Sequence, residues 1–373
     1  AKNVTKLFNL KAFETTSLYP FLFTLLFVFL TFQYPFHSLE SIFYDFRVKY
    51  DFGVLNEKNL VIVTMDEESD EFLGEQYPYT YASHHRLFIK LLQNRPKVIN
   101  YFVNPLGPES SLDQKNFIKF KNSINQFKSA GGEFRFGVKM DVWGEQHPPI
   151  GLKELGHSLA ILNKDDFEFS KDKVVRRAVL NISGDDTLHL WTANKYREFL
   201  GKKKIDSHNL PGAFYQRDLD ATVASFRYPS SPLENDGKVT KIPFHKVVVG
   251  NFPKGFFKDK LVLVGPSYIS NSSDYSLSPF NREDQKAPNI FIHGLIMQSL
   301  IQKKTVLPIT KTVTYLLSFF IVLVLSIVIN KVKPTNGLII TISLMLGLLV
   351  FSYLIFSLFG YWLYTTHLIL AIF

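Results

Sequence analysis

The chain has 373 residues, with 42 Lys and Arg against 33 Asp and Glu, a formal charge of +9 and no cysteine. The lack of Cys excludes disulfides, cysteine-ligated zinc, iron–sulfur clusters and a thiol nucleophile. A mean hydropathy near zero averages two unlike populations: residues 17–36 and 312–373 are almost free of charge, whereas 37–311 read as ordinary globular sequence, so a purely soluble enzyme and a purely polytopic transporter are both excluded.

In chain order, Ser17–Phe36 is the first apolar run, long enough to cross about 30 Å of hydrocarbon as a helix. Lys2, Lys6 and Lys11 precede it, as they would a signal peptide, but bulky Gln33-Tyr34-Pro35-Phe36 stands where a small-residue cleavage site belongs. The run reads as an uncleaved anchor. Leu60–Asp66 is a continuous apolar stretch ending in an acid, the pattern of a buried parallel strand. His84–Leu92 carries helical apolar spacing, and Lys97–Val103 reads as the next strand, which makes a βαβ unit. A helix follows over Asp113 to Phe127, and Glu133–Met140 alternates like a strand. Ser158–Leu162 and Val174–Leu180 read as strands around the polar turn Asp165–Lys173, and Leu188–Leu200 as a helix. Periodicity is weak over Ser207–Asp220. Ser225–Tyr228 and Val247–Gly250 flank a loop rich in turn residues, Pro229–Gly237. Lys260–Gly265 is another buried strand, and Asn289–Gln302 a helix leading to the second membrane segment.

Thr312–Asn330 and Gly337–Leu358 are the next two predicted spans, and a fourth begins at Tyr361, with the sequence stopping inside it at Phe373. A longer protein is therefore expected. Basic residues before Ser17, and Lys331 and Lys333 between the second and third spans, predict that both segments face the cytoplasm. Residues 1–16 are then a cytoplasmic N-terminus and 37–311 an extracytoplasmic domain. The remaining Lys are scattered without a recognition helix or stacking aromatics, so the positive charge reads as solvated surface and topology signal; no nucleic-acid partner is expected.

Five segments in this order resemble the CHASE2 domain, an extracytoplasmic sensory domain of bacterial signalling receptors. Asp45 and Arg47 match its membrane-proximal acid–arginine pair. VIVTMDEESDEFLGEQYPYTYASHHRLFIKLL resembles its signature strand, acidic turn, aromatic–Pro–aromatic stretch (Tyr77-Pro78-Tyr79) and following helix opened by His84. Lys171–Leu180 resembles an Asp-Gly-Val-Val-Arg-Arg turn. KLVLVGPSYISNSSDYSLSPF resembles its strand–Gly segment with Asp274 and Ser278-Pro279, and PNIFIHGLIMQSLI its helix start, with His293 on the motif histidine. The resemblance spans about residues 43–307 and implies an α/β domain with a mainly parallel or mixed sheet, plus one N-terminal and three C-terminal transmembrane helices. This sequence departs from the family where Tyr77 and Tyr79 replace Trp, where Phe102 replaces an Asp after a strand, where Lys173 replaces the turn Gly, and where Asn289 replaces a Gly.

Candidate ligand-binding residues are Asp66, Glu67, Tyr79, Asp274 and His293. Asp66, Glu67 and Glu68 follow a strand, at the edge where open parallel sheets bind ligands; the competing reading is a solvated turn capped by Asp66 or Ser69. His293 either bonds locally at a helix start or lines a pocket with Asp274. Asp45 and Arg47, one residue apart on a strand-like stretch, are expected to fix the membrane-proximal stem. Gly265-Pro-Ser267-Tyr-Ile269 lacks the final Gly of a hydrolase elbow. Gly131–Gly137 lacks the elements of a phosphate loop. No His-Glu-x-x-His or helix-face histidine spacing occurs, so no metal, cofactor or catalytic residue is expected within these 373 residues.

The sequence thus predicts the input half of a receptor in a bacterial inner membrane, with the large domain periplasmic. The resemblance adds a cytoplasmic output beyond Phe373, an adenylate cyclase first among cyclases and kinases, and with it a homodimer. The alternative is a membrane-anchored scaffold subunit whose ectodomain has lost ligand sensing, a reading favoured by Phe102.

Overall fold

Tyr34 and Pro35 set the first boundary, because a residue before proline is pushed out of the helical region. Helix α1 (Thr15–Gln33) stops there, and α2 (His37–Lys49) resumes at 80° to it. The expected straight span over Ser17–Phe36 is therefore bent at its end. The computed structural model describes residues 15–103, 105–141, 144–166, 169–280 and 286–373; Lys2, Lys6 and Lys11 lie outside these. Residues up to Arg47 together with Leu307–Phe373 form one compact unit, and Val48–Val306 another, so the globular unit is shorter at both ends than 37–311.

Within the globular unit, β1 (Leu60–Met65) leads to α3 (Glu67–Leu73), α4 (Tyr81–Asn94) and β2 (Val98–Tyr101); α5 (Ser111–Ser129) and β3 (Glu133–Val138) follow. Next come β4 (His157–Leu159), β5 (Leu162–Lys164), β6 (Val175–Ile182), α6 (Leu188–Phe199), β7 (Ala213–Gln216) and β8 (Ala221–Ser225). Strand β9 (Lys241–Pro243), α7 (Phe244–Val249), β10 (Leu261–Pro266) and α8 (Asn289–Ile301) complete it. Three elements differ from expectation: the single strand expected over Ser158–Leu162 is split into β4 of one sheet and β5 of another. Val247–Val249 closes a helix, and the weakly periodic stretch before Asp220 holds β7, a strand whose half-exposed side chains give no clean alternation.

The central sheet runs β9-β1-β10-β2-β3-β4, parallel throughout. Alternation along β1 sends Val61, Val63 and Met65 to one face, where they pack with Leu87, Phe88 and Leu91 of α4 and Phe120 and Ile124 of α5. Leu60 and Ile62 point to the other face, and α8 comes so near that a Cβ on Gly294 would lie 2.7 Å from Leu60 Cδ2. Asn100 of β2 also belongs there; buried, it donates to Thr192 of α6 at 2.7 Å. Both faces of the sheet are covered at β1, β2 and β10, which is why these strands read as apolar runs, whereas β3 alternates. A smaller antiparallel sheet, β7-β8-β6-β5, carries the Asp172–Arg177 turn. Arg176 holds Asp172 through two bonds of 2.8 and 2.7 Å, and Lys173 takes φ +60° at the position where a Gly is expected.

Side chains tie the chain's entry into this unit to its exit. The Gln302 amide donates to Leu55 O at 2.6 Å and accepts from Leu55 N at 3.1 Å. Gln298 Nε2 donates to Glu57 O at 2.6 Å, and Arg227 grips Asp51 at 2.7 and 2.6 Å.

In the other unit, α9 (Lys311–Ile329) and α10 (Pro334–Phe359) are long and apolar enough to cross a membrane; with the bent α1–α2 pair, up to three spans result among the described residues. Exposed Leu316, Phe320 and Val324 of α9 and Ile342, Leu346 and Val350 of α10 suit a lipid surround. The fourth expected span does not begin at Tyr361. Tyr361–Trp362 instead pairs in parallel with Leu307–Pro308, and the helix there, α11 (Thr365–Ile372), starts at Thr365.

Candidate functional site

Three loops meet at the carboxyl edge of the parallel sheet. Beyond β1, Asp66 caps α3: its Oδ1 accepts from Ser69 N at 2.9 Å and its Oδ2 from Thr64 Oγ1 at 2.7 Å. The capping role of Asp66 is thus structural. Glu67 reaches across to the loop after β10 and accepts from Ser270 N and Oγ, both at 3.0 Å. Partial burial pushes its carboxyl up, but the Ser270 donors outweigh this and hold it below the usual range.

Asp70 joins the same two loops. Its Oδ1 accepts from Tyr79 at 2.6 Å and from Tyr268 at 2.7 Å. Burial, and then these bonds, raise both phenols well above their ordinary value, so each remains a donor. Tyr79 follows the cis Tyr77–Pro78 bond and holds φ +64°. Nearby His84 is buried between Pro78 O at 2.6 Å and the Tyr101 hydroxyl at 2.5 Å, and burial lowers it to about 4. Sequence reasoning singles out Tyr79 but misses its partners Asp70 and Tyr268, since no spacing links residues on separate loops.

Asp274 is buried, and its Oδ2 has no hydrogen-bond partner. Burial raises its carboxyl against the pull of Lys139, at the end of β3. His293 of α8 is buried and bonds His189 of α6 at 2.7 Å, the rings stacked at 4.9 Å. Burial drives both imidazoles down, His189 to about 4, so both are neutral and one donates to the other. The field of Lys139 reaches both Asp274 and His293, but no bond joins these two. The partner of His293 is His189, a residue with no motif signal.

Phe102 fills the space between these groups. A Cβ on Gly265 would lie 2.8 Å from Phe102 Cβ, a Cβ on Gly137 would lie 3.0 Å from its ring, and the His293 ring meets that ring at 4.7 Å, tilted by 36°. Ser267 Oγ is buried with no histidine bonded to it among the described residues. The arrangement offers carboxylates, phenols and neutral imidazoles for hydrogen bonding, and on α3 the buried Ser69 Oγ lies 3.0 Å from His245 Nδ1 of α7.

The acid–arginine pair of the stem is corrected. Residues 45 and 47 lie on helix α2, not on a strand, and a 200° rotation sends them to different sides. Arg47 instead pairs at 2.8 Å with Glu40, seven residues or nearly two full turns earlier, and both are buried. Glu40 also accepts from Trp362 Nε1 at 2.8 Å and from Thr366 N and Oγ1 at 2.9 Å. Arg47 donates to Leu363 O and Thr365 Oγ1 at 2.9 Å and to Ser352 Oγ at 2.5 Å. One ion pair thus fastens α2, α10 and the segment before α11.

No curated protein and no solved structure gives a significant match. The CHASE2 domain family matches residues 23–329. Its members are sensory domains, and with α9 and α10 apolar enough to span a bilayer the protein is a membrane protein with a sensory role in signalling. The chain belongs to the CHASE2 domain family.

Proposed function

We propose that this chain is the input half of a transmembrane receptor, in which the α/β unit senses a ligand or protein partner outside the cytoplasm and biases a cytoplasmic output. The observation that carries this reading is the parallel α/β unit of a sensory family set in the chain between apolar helices, with buried, underused polar groups at its carboxyl edge. Lys331 and Lys333 between α9 and α10 support a cytoplasmic placement of that turn, and hence an external, periplasmic domain in a bacterial inner membrane. The stretch from His293 through Gln302 to Lys311 is the covalent route to α9. Ligand binding acts through it only by favouring one helix arrangement over another. An adenylate cyclase working as a homodimer is the output that fits this family resemblance.

Two measurements test the reading. Proteolysis of intact spheroplasts should cut residues 48–306; full protection removes the reading. A small-molecule thermal-shift screen on the full chain in nanodiscs should yield a stabiliser whose effect is lost in Asp274→Ala.

One observation favours a second reading, a membrane-anchored scaffold subunit. Phe102 occupies the ground above Gly137 and Gly265 and against His293, leaving less room for a small ligand. A screen without stabilisers, together with a stable copurifying membrane partner, would establish that reading instead.

A further inference from the structure

Away from the sheet edge just described, Glu145, His147 and His157 converge. One ligand atom from each lies within 4.8 Å of the others. Glu145 Oε2 and His147 Nδ1 are 3.5 Å apart, and the His147 and His157 rings meet edge to face at 4.8 Å. For bonds of roughly 2.0–2.2 Å, a tetrahedral ion separates its ligand atoms by roughly 3.4 Å, so small side-chain rotations close the set. Two features argue against a chance surface pair. His157 opens β4 and is fixed by its register opposite Phe136, and its Nδ1 is buried without a hydrogen-bond partner. Glu145 and His157 also line a cavity of ≈ 640 Å³, together with Arg135, Ser158, Asp185 and Asp186. Arg135 is held there by Ser158 Oγ at 2.5 Å and lies 4.4 Å over the Trp191 ring.

We infer that Glu145, His147 and His157 bind a divalent transition-metal ion of the zinc class. Two imidazoles and one carboxylate suit a borderline cation rather than calcium or magnesium, which take oxygen donors. Three protein ligands leave a fourth position for water or for a donor atom of a small ligand in the cavity. The lining sets Glu145, Asp185 and Asp186 against Arg135, so water or a neutral donor suits that fourth position better than an anion. The inference does not depend on the signalling reading, because metal uptake is read on the chain itself.

The test uses the untagged full chain in detergent, stripped with a chelator and titrated with Co²⁺, followed by its visible absorption, and with Zn²⁺ in competition with a chromophoric chelator. One saturable equivalent is expected. His147→Ala and Glu145→Gln, both at exposed side chains, should weaken it by at least about ten-fold with unchanged melting of the metal-free protein. His157→Ala should abolish it. Uptake that is absent, or equal in wild type, His147→Ala and Glu145→Gln, overturns the inference whether or not His157→Ala folds.

Discussion

Glu40 and Arg47 share one face of α2 and meet at 2.8 Å with less than a tenth of either side chain exposed. Every oxygen of the carboxylate accepts at least one bond, and the guanidinium reaches α10 and the backbone of Leu363. Such a pair is costly to break, since removing one partner leaves the other charge buried and unmatched. Glu40→Gln or Arg47→Met should each destabilise the membrane unit by about 3–5 kcal/mol. The double variant should cost less than the sum, as a thermal or SDS-unfolding cycle in detergent would show. Additive losses would mean that the pair is not coupled.

Acid should loosen the globular unit before its carboxylates titrate. His84 and His189 are lowered to about 4 by burial, against 6.5 for an ordinary histidine. Above pH 6.5 both are neutral whether the chain is folded or unfolded. Between pH 6.5 and about 4 only the unfolded chain takes up the protons, so stability falls as pH falls. The total is roughly 3 kcal/mol for each group by pH 4. Denaturant titrations at pH 7.5, 6 and 5 measure it, and a flat profile would contradict the neutral burial of these rings.

Lys173 carries a backbone conformation that suits glycine. Its φ of +60° places a Cβ where a left-handed residue is strained. Lys173→Gly is expected to stabilise the unit by about 0.5–1 kcal/mol, the relief outweighing the extra chain entropy. Chemical denaturation gives the sign directly. A loss of stability would show that the lysine side chain contributes more than the turn geometry costs.

Gly265→Ala should do the opposite. Its new methyl would meet Ile290 Cδ1 and Phe102 Cβ, each at 2.8 Å. Overpacking of this kind costs about 1–3 kcal/mol. Part of that penalty should vanish in a Phe102→Gly background, because one of the two obstructing atoms, Phe102 Cβ, is then gone. Melting curves of the four proteins decide it, and equal penalties in both backgrounds would separate Phe102 from the glycine.

The elements with strong periodicity were legible from sequence alone. Leu60–Asp66, Lys97–Val103 and Lys260–Gly265 read as buried strands because both faces of the sheet are covered, and α4, α5, α6 and α8 read as helices within a few residues. Tertiary contacts are less legible. The exposed strand Ala213–Gln216 has no alternation to follow, and α2 takes helical form where its charged residues resemble a strand. At the candidate site, Asp66 and Glu67 were visible beside a strand end, whereas Asp70–Tyr268 and His189–His293 join residues far apart in the chain. The Glu145–His147–His157 set is hidden for another reason: its members lie close in the chain, but His157 is placed by its register opposite Phe136 and not by a regular spacing on one helix.

The paired amide of Gln302 and backbone of Leu55, with Gln298 gripping Glu57, mean that the two ends of the globular unit behave as one handle. A stimulus that pried the incoming and outgoing segments apart would first have to rupture these bonds. A shift or twist carrying both segments together leaves them whole. Motion of the latter kind therefore costs none of these bonds.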